Sequence, residues 1–255
     1  MKTVYIYGDS IMRATVIDEK NSYHASISQY IAEFESNCGV KIENRARFGC
    51  TAPRGAEILS RDLGAGVRPD IAVIAYGGND CNYNWSAVAR EPYAEHNPHT
   101  PLPQFIETLR AMISELRKNS INPVLTTLPP VSAEKYLAFL DQKGCCAKGI
   151  LKWLGSADMI YRYHELYSGA VTKLAAAMNC HLVDVRAHFL SCRNYDAQLI
   201  SRDGIHLQPA GYRIVADAFR DYALQTNLLK SVRPHKSFPC LNVSFSTFSG
   251  SADKA

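Results

Sequence analysis

The 255-residue sequence lacks the features that would point to nucleic acid or to a membrane. Its 28 basic residues exceed its 24 acidic residues by only four, and no run of five basic residues occurs. A nucleic-acid partner is therefore not expected. The apolar runs are far shorter than the roughly 20 residues of a membrane helix. Because Met1–Lys2–Thr3 leads straight into an apolar strand pattern, we expect no signal peptide and no membrane insertion, and we predict a cytoplasmic location.

The sequence also lacks the motifs of nucleotide and metal sites. Neither Gly-x-Gly-x-x-Gly nor Gly-x4-Gly-Lys-Ser/Thr follows the first predicted strand, which argues against a flavodoxin-like nucleotide or phosphate binder. The eight cysteines form no Cys-x-x-Cys pair and no histidines cluster around them, so we expect neither a metal nor another cofactor. Cys145 and Cys146 are neighbours that cannot bridge without distortion. We expect all eight cysteines to be reduced thiols, most of them small core residues.

What the sequence does contain is an alternation of short apolar runs and helical patterns. Five runs predict strands, at residues 4–7, 40–44, 71–76, 124–127 and 181–185. The alternation is typical of a parallel sheet with helices on both faces, so we predict one doubly wound α/β domain over residues 1–225 with strand order 2-1-3-4-5. Residues 226–255 are predicted to form a partly disordered tail.

Two long segments interrupt this alternation after the third and fourth strands. The two segments are Asp80–Pro103, which is rich in Asn and Pro, and Val131–Met159; both contain Tyr and Trp, and loops of that length usually carry function. Their aromatic residues either wall a substrate pocket or simply bury the loops on the sheet: Tyr83, Trp85, Tyr93, Tyr136 and Trp153.

Two short segments offer the parts of a nucleophilic serine site. Gly8–Asp9–Ser10 follows the first strand, where a serine is exposed at the edge of the sheet. On its own this segment is more often a turn or a helix N-cap. Asp203–Gly204–Ile205–His206 precedes the last helix, and a carboxylate three residues before a histidine can hold its Nδ1 while Nε2 faces away. Packing of the last helix beside strand one would bring His206 to Ser10. The two segments together are therefore stronger evidence for a nucleophilic serine than either segment alone.

Two further segments offer donors for an oxyanion. Gly49 follows the second strand and can bring a backbone N–H close to a ligand. Asn79, in Gly77–Gly78–Asn79–Asp80 after the third strand, offers a side-chain amide. For each segment, an ordinary strand-to-helix turn is at least as good an interpretation.

Together and in order, these four segments resemble the four blocks of the GDSL esterases and lipases, also called SGNH hydrolases. The resemblance covers about residues 3–224 and implies a flavodoxin-like three-layer α/β/α sandwich. It implies Ser10 as nucleophile, His206 as base and Asp203 as its partner. It also implies an oxyanion hole formed by the Ser10 and Gly49 N–H groups and the Asn79 side chain.

The resulting hypothesis is a cofactor-free serine carboxylester hydrolase that acts on a small-molecule ester. The polar residues of the long segments favour short-acyl substrates or acetylated sugars, and we assign Asp9, Asn82 and Trp85 as candidate substrate-binding residues. Acyl transfer, or lysophospholipase or thioesterase activity on the same fold, stays open. A non-catalytic binding module is the alternative of a different class, against which the retained Ser10, Asp203 and His206 argue.

Overall fold

A computed structural model of the chain describes residues 1–26, 28–226 and 228–229. In this part of the chain the strands are β1 (Lys2–Gly8), β2 (Thr15–Ile17), β3 (Tyr23–Ala25), β4 (Val40–Asn44), β5 (Ile71–Ala75), β6 (Asn122–Thr126) and β7 (His181–Val183). The helices are α1 (Ser28–Cys38), α2 (Ala52–Gly64), α3 (Trp85–Arg90), α4 (Leu102–Lys118), α5 (Ala133–Gln142), α6 (Ala147–Leu154), α7 (Asp158–Ala177), α8 (Val185–Leu190), α9 (Tyr195–Leu199) and α10 (Pro209–Thr226).

Five parallel strands form the central sheet in the order β4-β1-β5-β6-β7. These are the five predicted strands, and the predicted three-layer α/β class is confirmed. Their labels differ from the predicted 2-1-3-4-5 because a small antiparallel hairpin, β2–β3, was not predicted and takes two numbers. Counted among themselves, the five sheet strands run 2-1-3-4-5.

The two faces of the sheet bury separate hydrophobic cores, because alternate residues of a strand point to opposite sides. Val4 and Ile6 of β1 pack in the core that also contains Phe189 of α8 and Val215 of α10. Tyr7 of β1 instead packs in the core built with α2, α4 and α7. Both cores hold the carboxyl ends of the strands in fixed positions, where the segments with candidate site residues begin.

The two long segments predicted as loops contain helices. The first contains α3 and the second contains α5 and α6, and all three are short amphipathic helices of six to ten residues. Trp85, Tyr136 and Ile150 belong to a third hydrophobic cluster that these segments share. The segments therefore pack on one another as a cap beside the carboxyl ends of the strands.

One cysteine contradicts the expectation that all eight are reduced. Cys192 is disulfide-bonded, whereas the other described cysteines, six in number, are free. The expectation was wrong for Cys192, because the spacing of cysteines in a sequence does not show their redox state. Cys240 lies outside the described residues.

Among the described residues, no helix combines the length and apolarity that crossing a membrane requires. The cytoplasmic location and the lack of a nucleic-acid partner stay predictions. Of the tail predicted over residues 226–255, Thr226 ends α10, and residue 227 and residues 230–255 lie outside the described part.

Candidate active site

The fold brings the predicted serine, histidine and aspartate together at the carboxyl edge of the sheet. Ser10 lies in the turn that follows β1, and His206 lies shortly before α10. The Ser10 Oγ is 2.9 Å from the His206 Nε2, and the His206 Nδ1 is 2.6 Å from the Asp203 Oδ2. All three side chains are buried. In this arrangement the His206 Nε2 can accept the proton of the serine hydroxyl while Asp203 stays ionised.

Asp203 is held in its charged form by a dense set of donors. Its Oδ1 accepts hydrogen bonds from the Ser201 Oγ and from the backbone N–H groups of Ile205 and His206. Its Oδ2 accepts from the Tyr23 hydroxyl at 3.2 Å as well as from the His206 ring. Burial alone would raise the pKa of Asp203, but the hydrogen bonds and the charge of His206 outweigh it and lower the pKa. The carboxylate is therefore ionised at neutral pH.

The turn that carries Asp203 and His206 requires a glycine at its second position. Gly204 has φ +78°, and a Cβ there would lie 2.4 Å from the Tyr136 backbone nitrogen and 2.6 Å from the Ser132 carbonyl oxygen. The Gly204 carbonyl also accepts a hydrogen bond from the Ser132 N–H. The start of α5 is thus docked directly on this turn, which ties the cap to the candidate active site.

Two aromatic rings cover the imidazole, and sequence reasoning missed both. The Tyr23 ring centroid lies 4.9 Å from that of His206. The Phe48 ring is stacked nearly parallel to the imidazole, with centroids 5.8 Å apart, although its side chain is 48% exposed. Tyr23 is 180 residues from Asp203 along the chain. The only sequence signal was the placement of Phe48 beside Gly49.

The three predicted oxyanion donors differ in their hydrogen-bond partners and in their position relative to the cavity. Asn79 directs its side-chain Nδ2 at the Asp9 Oδ2 (3.3 Å) and at the Cys50 carbonyl (3.2 Å). Within the described chain, the Ser10 N–H donates no hydrogen bond and so is available to a ligand. Gly49 adopts φ +67° in an exposed turn. It does not appear among the described residues that line the cavity next to Ser10.

Two buried carboxyl groups lie behind these donors. Burial raises the pKa of Asp9 to about 6, although the Ile11 N–H and the Asn79 amide donate to it. Burial likewise raises the pKa of Asp80 to about 6. The Asp80 Oδ1 accepts from the Ala52 N–H at the start of α2, where a helix has N–H groups without partners. Asp80 therefore fixes the loops after β4 and β5 relative to each other.

A cavity of about 90 Å³ opens beside Ser10 and His206. The three candidate substrate-binding residues Asp9, Asn82 and Trp85 all lie in its wall. The Asn82 Oδ1 accepts from the Trp85 Nε1 at 2.7 Å and from the Tyr136 hydroxyl at 3.2 Å, so these polar groups are already paired. Because these polar groups bind each other, the wall presents mostly apolar surface to the cavity.

The five aromatic residues of the two long segments differ in their surroundings, and only three of them line the cavity. Tyr83, Trp85 and Tyr136 line the cavity. Trp153 instead packs against Tyr83, with ring centroids 5.0 Å apart, and Tyr93 is 83% exposed.

A buried histidine in the cavity wall has no place in the chain of hydrogen bonds from Ser10. His164 lies beside Arg186, with the Arg186 Nη1 3.4 Å from the His164 Nδ1. Burial and the neighbouring guanidinium lower the pKa of His164 to about 3, so its ring is neutral at physiological pH. In the described part of the chain, no group of three His, Cys, Asp or Glu side chains has an arrangement suited to a metal ion.

Comparison with known families gives a match that spans the whole candidate site. The model of the GDSL-like lipase/acylhydrolase family matches residues 6–214. The isoamyl acetate-hydrolyzing esterase 1 homolog of Bos taurus is 26% identical over 220 residues, which are 83% of this chain and 77% of the relative. The GDSL esterase/lipase WDL1 of Oryza sativa subsp. japonica is 22% identical over 202 residues, which are 78% of this chain and 67% of the relative.

Solved structures show the same fold at low sequence identity. A lipase/acylhydrolase from Enterococcus faecalis superposes with a TM-score of 0.62 at 18% identity, over 92% of this chain and 100% of that one. A catalytic mutant of an acetylxylan esterase from Geobacillus stearothermophilus superposes with a TM-score of 0.62 at 21% identity, over 92% of this chain and 97% of that one.

Proposed function

We propose, from the premise that the chain belongs to the GDSL-like lipase/acylhydrolase family, that it is a serine-dependent carboxylester hydrolase with Ser10 as its nucleophile. The observation that carries this proposal is the continuous chain of hydrogen bonds from the Ser10 Oγ through His206 to Asp203. Family membership supports hydrolysis of esters, and the geometry of these three side chains supports the serine mechanism.

The reaction begins when the Ser10 Oγ attacks the ester carbonyl and His206 Nε2 takes its proton. The ionised Asp203 stabilises the imidazolium that forms and keeps Nε2 directed at the serine. His206 then returns the proton to the leaving alcohol. In the second half of the cycle, His206 activates a water that hydrolyses the acyl-enzyme and regenerates Ser10.

The oxyanion is proposed to bind the Ser10 N–H, the Gly49 N–H and the Asn79 side chain. The Asn79 Nδ2 donates to both the Asp9 Oδ2 and the Cys50 carbonyl. Each distance exceeds 3.1 Å, so these are weak bonds. A developing oxyanion makes a charge-assisted bond, which is about twice as strong as the neutral bond to the Cys50 carbonyl and can displace it.

We further propose that the substrate carries a short acyl group. An apolar cavity of about 150 Å³ holds a benzene molecule, and the cavity beside Ser10 is about 90 Å³. An acetyl or butyryl group fits this space, whereas a long acyl chain would extend out of it. The names of two similar proteins, an isoamyl acetate-hydrolyzing esterase homolog and an acetylxylan esterase, also point to acetyl esters.

The test is a series of p-nitrophenyl esters from acetate to dodecanoate, together with acetylated sugars. We expect kcat/KM to fall from acetyl or butyryl towards octanoyl and longer chains, and EDTA to have no effect. Ser10→Ala should lower turnover by several orders of magnitude. Ser60→Ala, at an exposed position of α2, is the matched control and should be as active as the wild type.

Two outcomes would contradict the proposal at different points. If Ser10→Ala keeps a tenth of the wild-type turnover, the nucleophile is wrongly assigned. If kcat/KM rises steadily with chain length through dodecanoyl, the short-acyl substrate is wrong and the nucleophile is unaffected.

A further inference from the structure

The hairpin β2–β3 connects the candidate nucleophile to the candidate base. Its first strand begins directly at the Ser10 turn, because the Thr15 N–H donates to the Ser10 carbonyl at 3.0 Å. The second strand carries Tyr23, whose hydroxyl donates to the Asp203 Oδ2 at 3.2 Å. The four motif segments do not include this hairpin.

The hairpin is fixed at both ends, so Tyr23 has a defined position. The Tyr212 hydroxyl of α10 donates to the Thr15 carbonyl, and the Ser26 N–H donates to the Ala14 carbonyl. In the connecting turn, the Asp18 carboxylate accepts from the N–H groups of Lys20 and Ser22. A hydroxyl held in this way can act on a neighbouring group with little entropic cost.

We propose that Tyr23 is a positioning residue that tunes the His206–Asp203 pair by sharing the oxygen that His206 uses. The inference rests on the proposed serine mechanism. The His206 Nδ1 and the Tyr23 hydroxyl both bind the Asp203 Oδ2. A second donor withdraws charge from that oxygen. The oxygen then stabilises the imidazolium less, so more of the imidazole stays neutral and able to accept the proton of Ser10.

The Tyr23 ring adds a second effect. It packs on the imidazole with centroids 4.9 Å apart and on Phe48 at 5.1 Å. The two rings together limit rotation of His206 and exclude water from the Asp203 side of the imidazole. Burial and the charge of Asp203 raise the pKa of the Tyr23 hydroxyl, so it is a neutral donor throughout the working pH range.

Other ionisable groups also face the His206–Asp203 pair and Tyr23, and a test of Tyr23 must leave them unchanged. Asp9 interacts with the charge of His206, and Arg202 and Tyr136 interact with Tyr23. Tyr212 faces both Asp9 and Asp203. None of them is altered by Tyr23→Phe, which removes one hydroxyl and keeps the ring.

The experiment compares Tyr23→Phe with wild type in two measurements. The first is the pH dependence of kcat/KM on a slow ester, where chemistry limits the rate. The second is the NMR titration of the His206 ring in protein with ¹⁵N-labelled histidine, which needs no activity. Tyr222→Phe is the matched control: it removes a hydroxyl that bonds to the His181 Nδ1, away from the site.

We expect Tyr23→Phe to move the acid limb of the rate profile and the midpoint of the His206 titration upward together, by roughly half a pH unit. Tyr222→Phe should move neither. The proposal is overturned if Tyr23→Phe leaves the midpoint of the His206 titration at the wild-type pH or moves it down. If the wild type hydrolyses no ester, the proposed function fails, while the NMR titration still decides the role of Tyr23.

Discussion

Two buried carboxylates flank Ser10, and their surroundings drive their pKa values in opposite directions. Asp203 is 0% exposed and Asp9 is 4% exposed. Asp203 accepts five hydrogen bonds and its pKa is lowered. Asp9 accepts two hydrogen bonds, and burial raises its pKa to about 6. Equal burial therefore has opposite results, because the number and charge of the donors decide whether the pKa of a buried carboxyl rises or falls.

The opposite pKa shifts of Asp203 and Asp9 lead us to expect different roles for these two carboxyl groups. The ionised Asp203 can stabilise a positive charge on His206 during each turnover. Asp9 accepts a hydrogen bond from the Asn79 amide and lies in the wall of the cavity, so we expect it to act on the proposed oxyanion donors. The predictions below test this division of roles.

The largest expected effect is on Asp203. Asp203→Asn keeps the size of the side chain but removes the charge and favours the wrong histidine tautomer, so turnover should fall by about 10⁴. The same substitution at Asp9 is the matched comparison and should cost no more than about 10², the lower end of the loss of one oxyanion donor. Steady-state kinetics on p-nitrophenyl acetate would measure both. Equal losses at the two positions would contradict the division of roles.

The next effect concerns the oxyanion. Asn79→Ala removes one donor and should lower turnover by about 10²–10³. Because Asp9 is expected to act through Asn79, adding Asp9→Asn to Asn79→Ala should lower turnover little further. A double variant in which the two losses multiply would show that Asp9 acts by another route.

These assignments show how far the sequence could predict the site. The four motif segments predicted Ser10, Gly49, Asn79, Asp203 and His206 as site residues, because each segment follows a strand or precedes the last helix in a recognisable order. The sequence could not predict Tyr23, because β2 and β3 have three residues each and show no usable periodicity. The sequence also could not predict the hydrogen-bond partners of Asn79, since one of them is the backbone carbonyl of Cys50, a group that every residue has.

The fold, like the site, could be predicted only in part from the sequence. The five sheet strands have apolar runs that predict them directly, whereas α3 and α6 have only six and eight residues, too few for a clear helical periodicity.

The opposite pKa shifts also predict opposite effects of pH on stability. The pKa of Asp9 is about 6 in the folded protein against 3.8 when unperturbed, so the folded state binds this proton more tightly. The stability that the proton contributes is present below about pH 4 and is lost as the pH rises through about 6. The lowered pKa of Asp203 has the opposite effect on stability. The stability that the ionised Asp203 contributes is present above pH 3.8 and is lost as the pH falls towards the pKa of Asp203 in the folded protein.

Asp9→Asn should therefore become more stable relative to wild type as the pH rises. Between pH 4 and pH 7, the difference in free energy of unfolding should change by up to about 3 kcal/mol in favour of the variant. Urea unfolding at the two pH values measures it. A difference that is the same at pH 4 and pH 7 would mean that Asp9 is ionised as easily in the folded as in the unfolded protein.

The smallest expected effect is at Ser201. Its hydroxyl donates to the Asp203 Oδ1, the oxygen that does not contact the His206 ring. Ser201→Ala removes one donor to a buried charge and should destabilise the protein by about 1.5–3 kcal/mol, while turnover falls less than about tenfold. Thermal unfolding and kinetics on the same sample test this. A loss of turnover as large as that of Asp203→Asn would show that the remaining donors do not keep Asp203 in place.

The most direct test of the central claim is labelling with a fluorophosphonate followed by peptide mass spectrometry. The account predicts a single adduct, on the peptide that contains Ser10, and the same adduct in the control variant Ser60→Ala. Ser10→Ala should take up no label. An adduct on another residue, or active enzyme that is neither labelled nor inhibited, would contradict the claim that Ser10 is the nucleophile.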